Sequence, residues 1–409
     1  MSAEQAFGDA SFNVERYLSN RPRYPEHLYE WIRRYVARNA ALSPPAERTL
    51  LDLGCGPGFA AFPLLRDYAR KELIGIDTGK GMVETAPKAL TAWVAQNRGQ
   101  MEGINSIRAP RFLVGSSNDL SGLVKDQEVD VVIAATAAHW FSYKETWSEL
   151  TRVVKPGGAV IWWTYGEHYL PAHPELQEDI YAFMQGGEGQ DQNQQGSIGP
   201  YFPQPGRTYL TKLLQPVPFP HEVASFEAGK GAALSGEDIA QWNLESSTRH
   251  FHPLVDGGRA DLSWLKSQAQ ANAEPLQDHH SSWQEQLERL QSGTSTPSAN
   301  RNDLSSPPRL EQIWTWEQYE GYIRSSSALH AYLKAHPEEK EGDGDIVSRF
   351  VTEIRGKVLA LRREKREARE RDIDKSAAEK REGKLHQGLS DDKVRVAWPL
   401  GIMAIAKKA

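Results

Sequence analysis

The run Thr49-Leu50-Leu51-Asp52-Leu53-Gly54-Cys55-Gly56-Pro57-Gly58 constrains the fold more than any other stretch of the chain. A short apolar segment ends in an acid and then in three glycines spaced two apart. That is a buried strand handing over to a tight turn close to a ligand, because glycine lacks Cβ and tolerates positive φ. Strand and helix signals alternate around it from residue 49 to about residue 165. Strands are expected at Thr49–Leu53, at Glu72–Ile76 before Asp77, and at Arg111–Val114, Val129–Ala134 and Ala159–Trp163. Helices are expected at about 59–69 and 81–96. The strands are apolar without alternation, so both faces are covered, as in a doubly wound α/β chain with a parallel sheet. In such sheets ligands bind beyond the carboxyl ends of the strands. Asp52 with its glycines, Asp77, the Ser116–Asp119 run and the Ala135–Trp140 run all follow strand ends and converge on one crevice.

The flanks divide the rest of the chain. Residues 1–45 read as an N-terminal cap, with a helix over His27–Ala41, and residues 46–166 as the ligand-binding core. Residues 167–228 read as crevice-side loops plus a sixth strand near Pro220–Glu227. Residues 229–308 are a long polar insertion. Residues 309–409 supply C-terminal helices, expected at Leu310–Leu333 and 346–384, and a closing strand or strand pair broken at Pro399. Ile313, Trp316, Tyr319, Tyr322 and Ile323 are the core candidates of the first of these helices. The 346–384 helix mixes both signs of charge, the pattern of a solvated helix laced with i,i+4 pairs.

Of the 409 residues 39% are hydrophobic, enough for a sizeable core, and the net charge of −6 gives no reason to expect nucleic acid. One cysteine excludes an intrachain disulfide framework. There is no secretory h-region and no uncharged apolar stretch long enough to span a membrane, so a cytoplasmic protein is expected. His250/His252 and His279/His280 lack supporting ligands at metal spacing, so no metal is assigned.

Two ligands suit a glycine turn followed by an acid at the end of the second strand. Asp77, about 20 residues beyond the glycines, fits the ribose of a dinucleotide or of S-adenosylmethionine. The glycine spacing differs from the dinucleotide fingerprint, and Asp52 inside the turn would repel a pyrophosphate while favouring an ammonium or sulfonium. The electrostatics favour S-adenosylmethionine.

Four segments, Leu51–Gly58, Ile76-Asp77, Gly115–Leu120 and Arg152–Gly158, together resemble the class I S-adenosylmethionine-dependent methyltransferases, in order and spacing. The flanking segments resemble the fungal trans-aconitate methyltransferase group. They are Phe12–Tyr17, Arg21–Pro25, Ala138–Phe141, Gly199–Tyr201 with Gln204–Arg207, and Val396–Trp398. The resemblance implies a Rossmann-like, mostly parallel seven-stranded sheet with helices on both faces, a helical and loop cap and a polar insertion. It implies that Gly54, Gly56 and Gly58 wrap the methionine part of the cofactor, with Asp52 near its ammonium and Asp77 on its ribose. Met82 would lie against the adenine, unless it is a plain core residue, and Ser117 and Asn118 would meet the adenine edge. Tyr17 joins the cofactor set from the first motif.

Methyl transfer requires nucleophile, methyl carbon and sulfur in line. A carboxylate acceptor is already ionised at neutral pH and needs cations to grip it rather than a base. Arg16, Arg21, Arg23 and Arg207 are the candidates, with Arg21 and Arg207 preferred from their motifs. A hydroxyl or thiol acceptor would call for a base, and His139 is that candidate. A small-molecule acceptor is expected, with no nucleic acid or membrane partner; the oligomeric state and the acceptor's identity stay open. A non-catalytic regulatory protein retaining the fold is the remaining alternative.

Overall fold

The computed structural model describes residues 20–97, 99, 110–186, 196–226, 234–252, 255–256, 259–260, 310–339, 341–376 and 389–409. In chain order the first strands are β1 (Thr49–Leu53), β2 (Glu72–Asp77), β3 (Arg111–Val114), β4 (Val129–Ala135), β5 (Val154–Tyr165) and β6 (Trp242–His252). They are followed by β7 (Val255–Asp256), β8 (Arg259–Ala260), β9 (Leu310–Thr315), β10 (Lys393–Trp398) and β11 (Leu400–Lys407). Seven strands form one sheet in the order β3-β2-β1-β4-β5-β11-β6. The first five run parallel, and β11 lies antiparallel between β5 and β6. The strand order reverses between β1 and β4, so the glycine turn after β1 opens at the switch point, where ligands of such sheets bind.

Successive side chains on a strand face opposite sides, and here each side has its own core. Leu50, Ile133, Ile161 and Trp163 pack with the helix α1 (Glu26–Asn39) through Leu28, Trp31, Ile32 and Tyr35. Those four fall at helical spacing, one apolar stripe facing the sheet. The helix α2 (Lys80–Gln96) lies on this side too, through Leu90 and Trp93. Leu51, Leu53, Val132 and Trp162 face the helix α3 (Tyr143–Val153), whose Trp147 and Leu150 are fully buried. The buried Lys407 at the end of β11 donates to Thr151 O at 2.6 Å and Val154 O at 2.9 Å, placing a cation at the C-terminus of α3.

The longer of the remaining described helices are α4 (Gln177–Gln185), α5 (Gly206–Thr211), α6 (Trp316–Arg324), α7 (Ser327–Ala335) and α8 (Ile346–Ser376), beside short ones at Leu65–Tyr68, Val223–Phe226 and Gly236–Ala240. With the β9–β10 ribbon, α6 to α8 build a cap on the α1 side of the sheet. Asp345 starts α8. It accepts from the backbone N–H of Val347 and Ser348 at 3.1 and 2.9 Å and pairs with Arg324 at 2.6 Å. Burial pushes its carboxyl up, but Arg324 and the N–H donors outweigh this and hold it at about 2. Because the folded value lies below the unfolded one, this stabilisation is complete above about pH 4 and is lost as pH falls towards about 2. Asp345→Asn is expected to cost about 1–3 kcal/mol near neutrality. In urea titrations at descending pH, the gap from wild type should close below about pH 4.

Several expected elements differ. Pro220–Glu227 is no strand: Pro220–Glu222 is a 3-10 turn continuing into the short helix Val223–Phe226. The sixth strand is Trp242–His252, inside the stretch read as polar insertion. Leu310–Leu333 is not one helix but β9, α6 and α7, because Thr315 forms a capping box with Gln318 and starts α6 there. Ile313 therefore lies on a ribbon and is 50% exposed rather than core. The expected helix at 59–69 is reduced to a 3-10 turn at Phe62–Leu64 and one helical turn at Leu65–Tyr68. Pro399 divides two strands of different sheets, since β10 pairs with β9 and β11 enters the main sheet. The part of the 346–384 helix beyond Ser376 lies outside the described residues.

Candidate active site

The glycine turn begins where β1 ends. Gly54, Gly56 and Gly58 have φ of 66°, 51° and 91°, the left-handed region that side chains with a Cβ rarely adopt. A Cβ on Gly54 would collide with Ala137, whereas a Cβ on Gly56 would meet nothing within 4 Å. Gly56 therefore borders open space. Gly56→Ala should cost only about 1–2 kcal/mol of folding stability, the left-handed strain alone, while pushing a methyl group into the cradle. Calorimetry with S-adenosylmethionine should show affinity falling far more than the thermal midpoint does.

Asp52 and Asp77 set the electrostatics of this cradle. Asp77 accepts from Gly56 N at 2.8 Å and Gly79 N at 2.7 Å, so it braces the turn. Burial raises its carboxyl, and those two N–H groups offset only part of the rise. Asp52 is 1% exposed, and neither of its side-chain oxygens has a hydrogen-bond partner. Burial, with the Asp77 charge adding to it, pushes Asp52 up to about 8. A buried carboxyl with no partner costs free energy unless something supplies a donor. The ammonium of S-adenosylmethionine would be such a donor, and the turn beside Asp52 borders open space at Gly56, so the residues present fit this cofactor.

Met82 is buried in the first turn of α2, beside the Asp77–Gly79 turn. Ser117 is buried and accepts from Thr146 Oγ1 at 3.1 Å. Asn118 is tied to the start of α3, its Oδ1 accepting from Ser142 N at 3.2 Å and its Nδ2 donating to Ser142 Oγ at 3.3 Å. Cys55 is buried, and burial followed by the charges of Asp52 and Asp77 raises its thiol, so it packs as an inert side chain. Tyr17 and Arg16 lie outside the described residues. No group of His, Cys, Asp and Glu side chains able to hold a metal occurs among the described residues. No described helix is long and apolar enough to cross a membrane.

Residues 136–140, just past β4, connect this cradle to a second pocket. Ala137 lies against Gly54, and Thr136 holds φ of 52° while its Oγ1 meets Tyr24 OH at 2.8 Å. His139 is buried in the 3-10 turn Ala138–Trp140, which packs on Gly206 at the start of α5. Its Nδ1 has no hydrogen-bond partner. Burial, then the nearby charges of Arg207 and Arg21, push it down to about 3. The imidazole is thus neutral across the physiological range and a feeble base.

Arg21 and Arg207, 186 positions apart in sequence, line one cavity of about 30 Å³ together with Tyr165, Glu167, Phe202 and Tyr322. Arg21 donates to Tyr165 OH and to Ser325 O, each at 3.0 Å, and lies over the Tyr322 ring. Arg207 is 7% exposed, stacks 4.4 Å over the Phe202 ring and donates through Nη2 to Glu167 at 2.6 Å. Arg23 instead stacks over Phe59 at 5.1 Å, on the cradle side. Glu167, Tyr165, Phe202 and Tyr322 were not among the site residues expected from sequence. Glu167 carried one usable signal: it lies just past the carboxyl end of β5, on the same edge of the sheet as Asp52 and Asp77 at the ends of β1 and β2.

Residues 51–162 match a family described as a methyltransferase domain. The protein named Probable S-adenosylmethionine-dependent methyltransferase CRG1, from Saccharomyces cerevisiae, is 27% identical over 173 residues, 42% of this chain and 52% of that protein. An uncharacterized methyltransferase of Schizosaccharomyces pombe is 28% identical over 152 residues, 37% of this chain and 50% of that one. A malonyl-(acyl-carrier protein) O-methyltransferase of Priestia megaterium is 24% identical over 121 residues, 29% of this chain and 38% of its own length. The chain spans about half the length of the first two relatives.

Proposed function

We propose that this chain is a class I S-adenosylmethionine-dependent methyltransferase whose acceptor is a small organic acid methylated on a carboxyl oxygen. The observation that carries the reading is the joint lining of one cavity by Arg21 and Arg207. Arginine suits a planar carboxylate through paired N–H donors. In this reading Asp52 holds the cofactor's ammonium, Asp77 its ribose hydroxyls, and Gly54, Gly56 and Gly58 wrap its methionine part. Met82, Ser117 and Asn118 border the adenine, and Tyr17 belongs to the same set.

When bound, the cofactor would supply an electrophilic methyl group on a sulfonium, whose sulfur would keep the bonding pair on transfer, and an ionised carboxylate would need no proton removed to receive it. The work left to the chain is orientation. Arg207 and Arg21 fix the acid, while the 136–140 segment fixes the distance between acid and cradle. His139 serves as a neutral wall in this scheme.

The match to a relative named as an O-methyltransferase agrees with an oxygen acceptor. A trans-aconitate-like acid is one finer form of this reading, and a related acid with a single carboxylate is another. The competing forms are transfer to a hydroxyl or thiol of a secondary metabolite with His139 as base, and a cofactor-binding regulator without activity. The low basicity of His139 weighs against the first, and the unpartnered Asp52 with the open Gly56 cradle favours cofactor binding in any case. The test is methyl transfer to carboxylic acids, phenols and thiols by wild type, Arg21→Ala and His139→Ala. Turnover of acids that falls at least tenfold in Arg21→Ala and survives in His139→Ala is expected. Turnover confined to phenols or thiols and lost with His139→Ala would reject the carboxylate acceptor.

A further inference from the structure

One buried cluster in the acceptor cavity has no role in the scheme above. Glu167 lies two residues past β5 and is 4% exposed. Its Oε2 accepts from Arg207 Nη2 at 2.6 Å. Its Oε1 accepts from His168 N at 3.1 Å and lies 2.8 Å from His168 Nδ1. His168 Nε2 is in turn 2.8 Å from Tyr319 OH, and both of these side chains are fully buried. The carboxylate is therefore fixed by groups that are themselves fixed. A buried ion pair of this kind adds little net stability over apolar side chains of similar volume, so stability alone does not account for it.

What the pair changes is the charge that Arg207 offers to a ligand. Nη2 uses both its protons, on Glu167 and on Met184 O at 3.2 Å. Nε is buried without a partner, and Nη1 makes no hydrogen bond among the described residues. A ligand anion would meet Arg207 through Nε or Nη1 and would meet the negative charge of Glu167 at the same time, since both residues line the cavity. The cavity volume of about 30 Å³ holds one small group, and the Tyr165, Phe202 and Tyr322 rings bound it. Away from bulk water, charges a few ångströms apart are poorly screened. One carboxylate fits the donors left on Arg207, whereas a second one beside it is repelled by Glu167.

We propose that Glu167 is the specificity-determining residue of this site: the cavity accepts the single ionised carboxylate of an acid whose apolar or aromatic body stays outside it. Acids that bring a second ionised group next to the first are excluded. The inference rests on the carboxylate reading of the preceding subsection, narrows it to acids with one carboxylate at the site, and rules out its trans-aconitate-like form, whose carboxylates are neighbours.

Acid pairs that differ by a second carboxylate beside the first test it, for example cinnamate against benzylidenemalonate and phenylacetate against 2-carboxyphenylacetate. The full chain with S-adenosylmethionine is compared as wild type, Glu167→Gln and Glu167→Asp. Wild type should favour the monoacid by at least tenfold in kcat/KM. Glu167→Gln should lower that ratio at least tenfold, and Glu167→Asp should keep it within about threefold. Loss of turnover in equal proportion for both acids in Glu167→Gln would mean a purely structural role and overturn the proposal. A wild type that prefers the diacids overturns it without any variant, so a misfolded Glu167→Gln does not shelter it. A wild type that methylates phenols or thiols but no acid rejects the carboxylate reading and this inference together. Turnover of both acids at an unchanged ratio rejects the inference alone.

Discussion

Asp52→Asn is expected to yield a cofactor-free protein more stable than wild type and almost unable to bind S-adenosylmethionine. Both Asp52 oxygens are buried without a partner, and burial with the Asp77 charge raises the carboxyl to about 8. In the unfolded chain the same group titrates near 4. The folded value lies above the unfolded one, so the favourable contribution is complete below about pH 4 and is lost as pH rises through about 8. Each unit of that interval corresponds to about 1.4 kcal/mol at most. The asparagine variant does not ionise, so its thermal midpoint without cofactor should exceed that of wild type by a margin that widens from about pH 5 to about pH 8.

Binding runs the other way. An ammonium placed at Asp52 favours its ionised form, so below about pH 8 cofactor binding expels a proton from wild type. Affinity should rise up to tenfold per unit between about pH 6 and 7.5, before the cofactor's own amine begins to titrate. Calorimetry in two buffers of different ionisation enthalpy should count close to one proton released near pH 7 in wild type and none in Asp52→Asn. The variant should bind at least a hundredfold more weakly, as loss of a buried charge-assisted bond predicts. Binding by wild type with no proton release, or by the variant within threefold of wild type, would remove Asp52 from the cofactor site.

Arg207→Met is expected to destabilise the chain by about 3–5 kcal/mol, because it leaves Glu167 buried and charged without its cation. The charge of Arg207, with the bonds from His168 and Arg207, outweighs the burial that would otherwise raise Glu167 and holds it at about 2. Glu167→Gln in the same chain removes that charge while keeping an oxygen for His168 N. The double variant should therefore recover most of the stability in urea unfolding, a coupling that neither single change predicts. Carboxylate turnover should stay at least a hundredfold down in both, with cofactor affinity within threefold of wild type. A double variant that regains both stability and carboxylate turnover would show that Arg207 does not grip the acceptor.

The parts of the fold that sequence made legible are those where local pattern and tertiary environment agree. β1, β2 and β4 are short apolar runs buried on both faces, and their limits fall within one residue of expectation. β6 was missed for the opposite reason. It is the sheet's edge strand, and its Ser, Thr, Arg and His residues match the polar insertion around it. Pro220–Glu227 reads as a strand in sequence, yet Glu222 turns back to accept from Phe219 N and closes a helical turn. The cradle was legible for a related reason: its residues follow strand ends, and that placement alone brings them together. The acceptor cavity depends on pairings across the chain, Arg21 with Ser325 and Arg207 with Glu167, which no local spacing encodes.

The position of β11 has a kinetic consequence. Strands β1 to β5 occupy one contiguous stretch of chain and can pair as soon as residue 165 is available. The edge strand β6 cannot join them directly, because its partner β11 comes from residues 400–407. Closing so long a loop is entropically costly and slow. β10 is joined to β11 through Pro399, and Trp398 Nε1 donates to Tyr322 OH at 2.9 Å, so completing the sheet also seats one wall of the cavity lined by Arg21 and Arg207. On this topology the glycine turn after β1 can form before the C-terminal strands are in place, whereas the pocket lined by Arg21 and Arg207 closes only once β11 has joined the sheet.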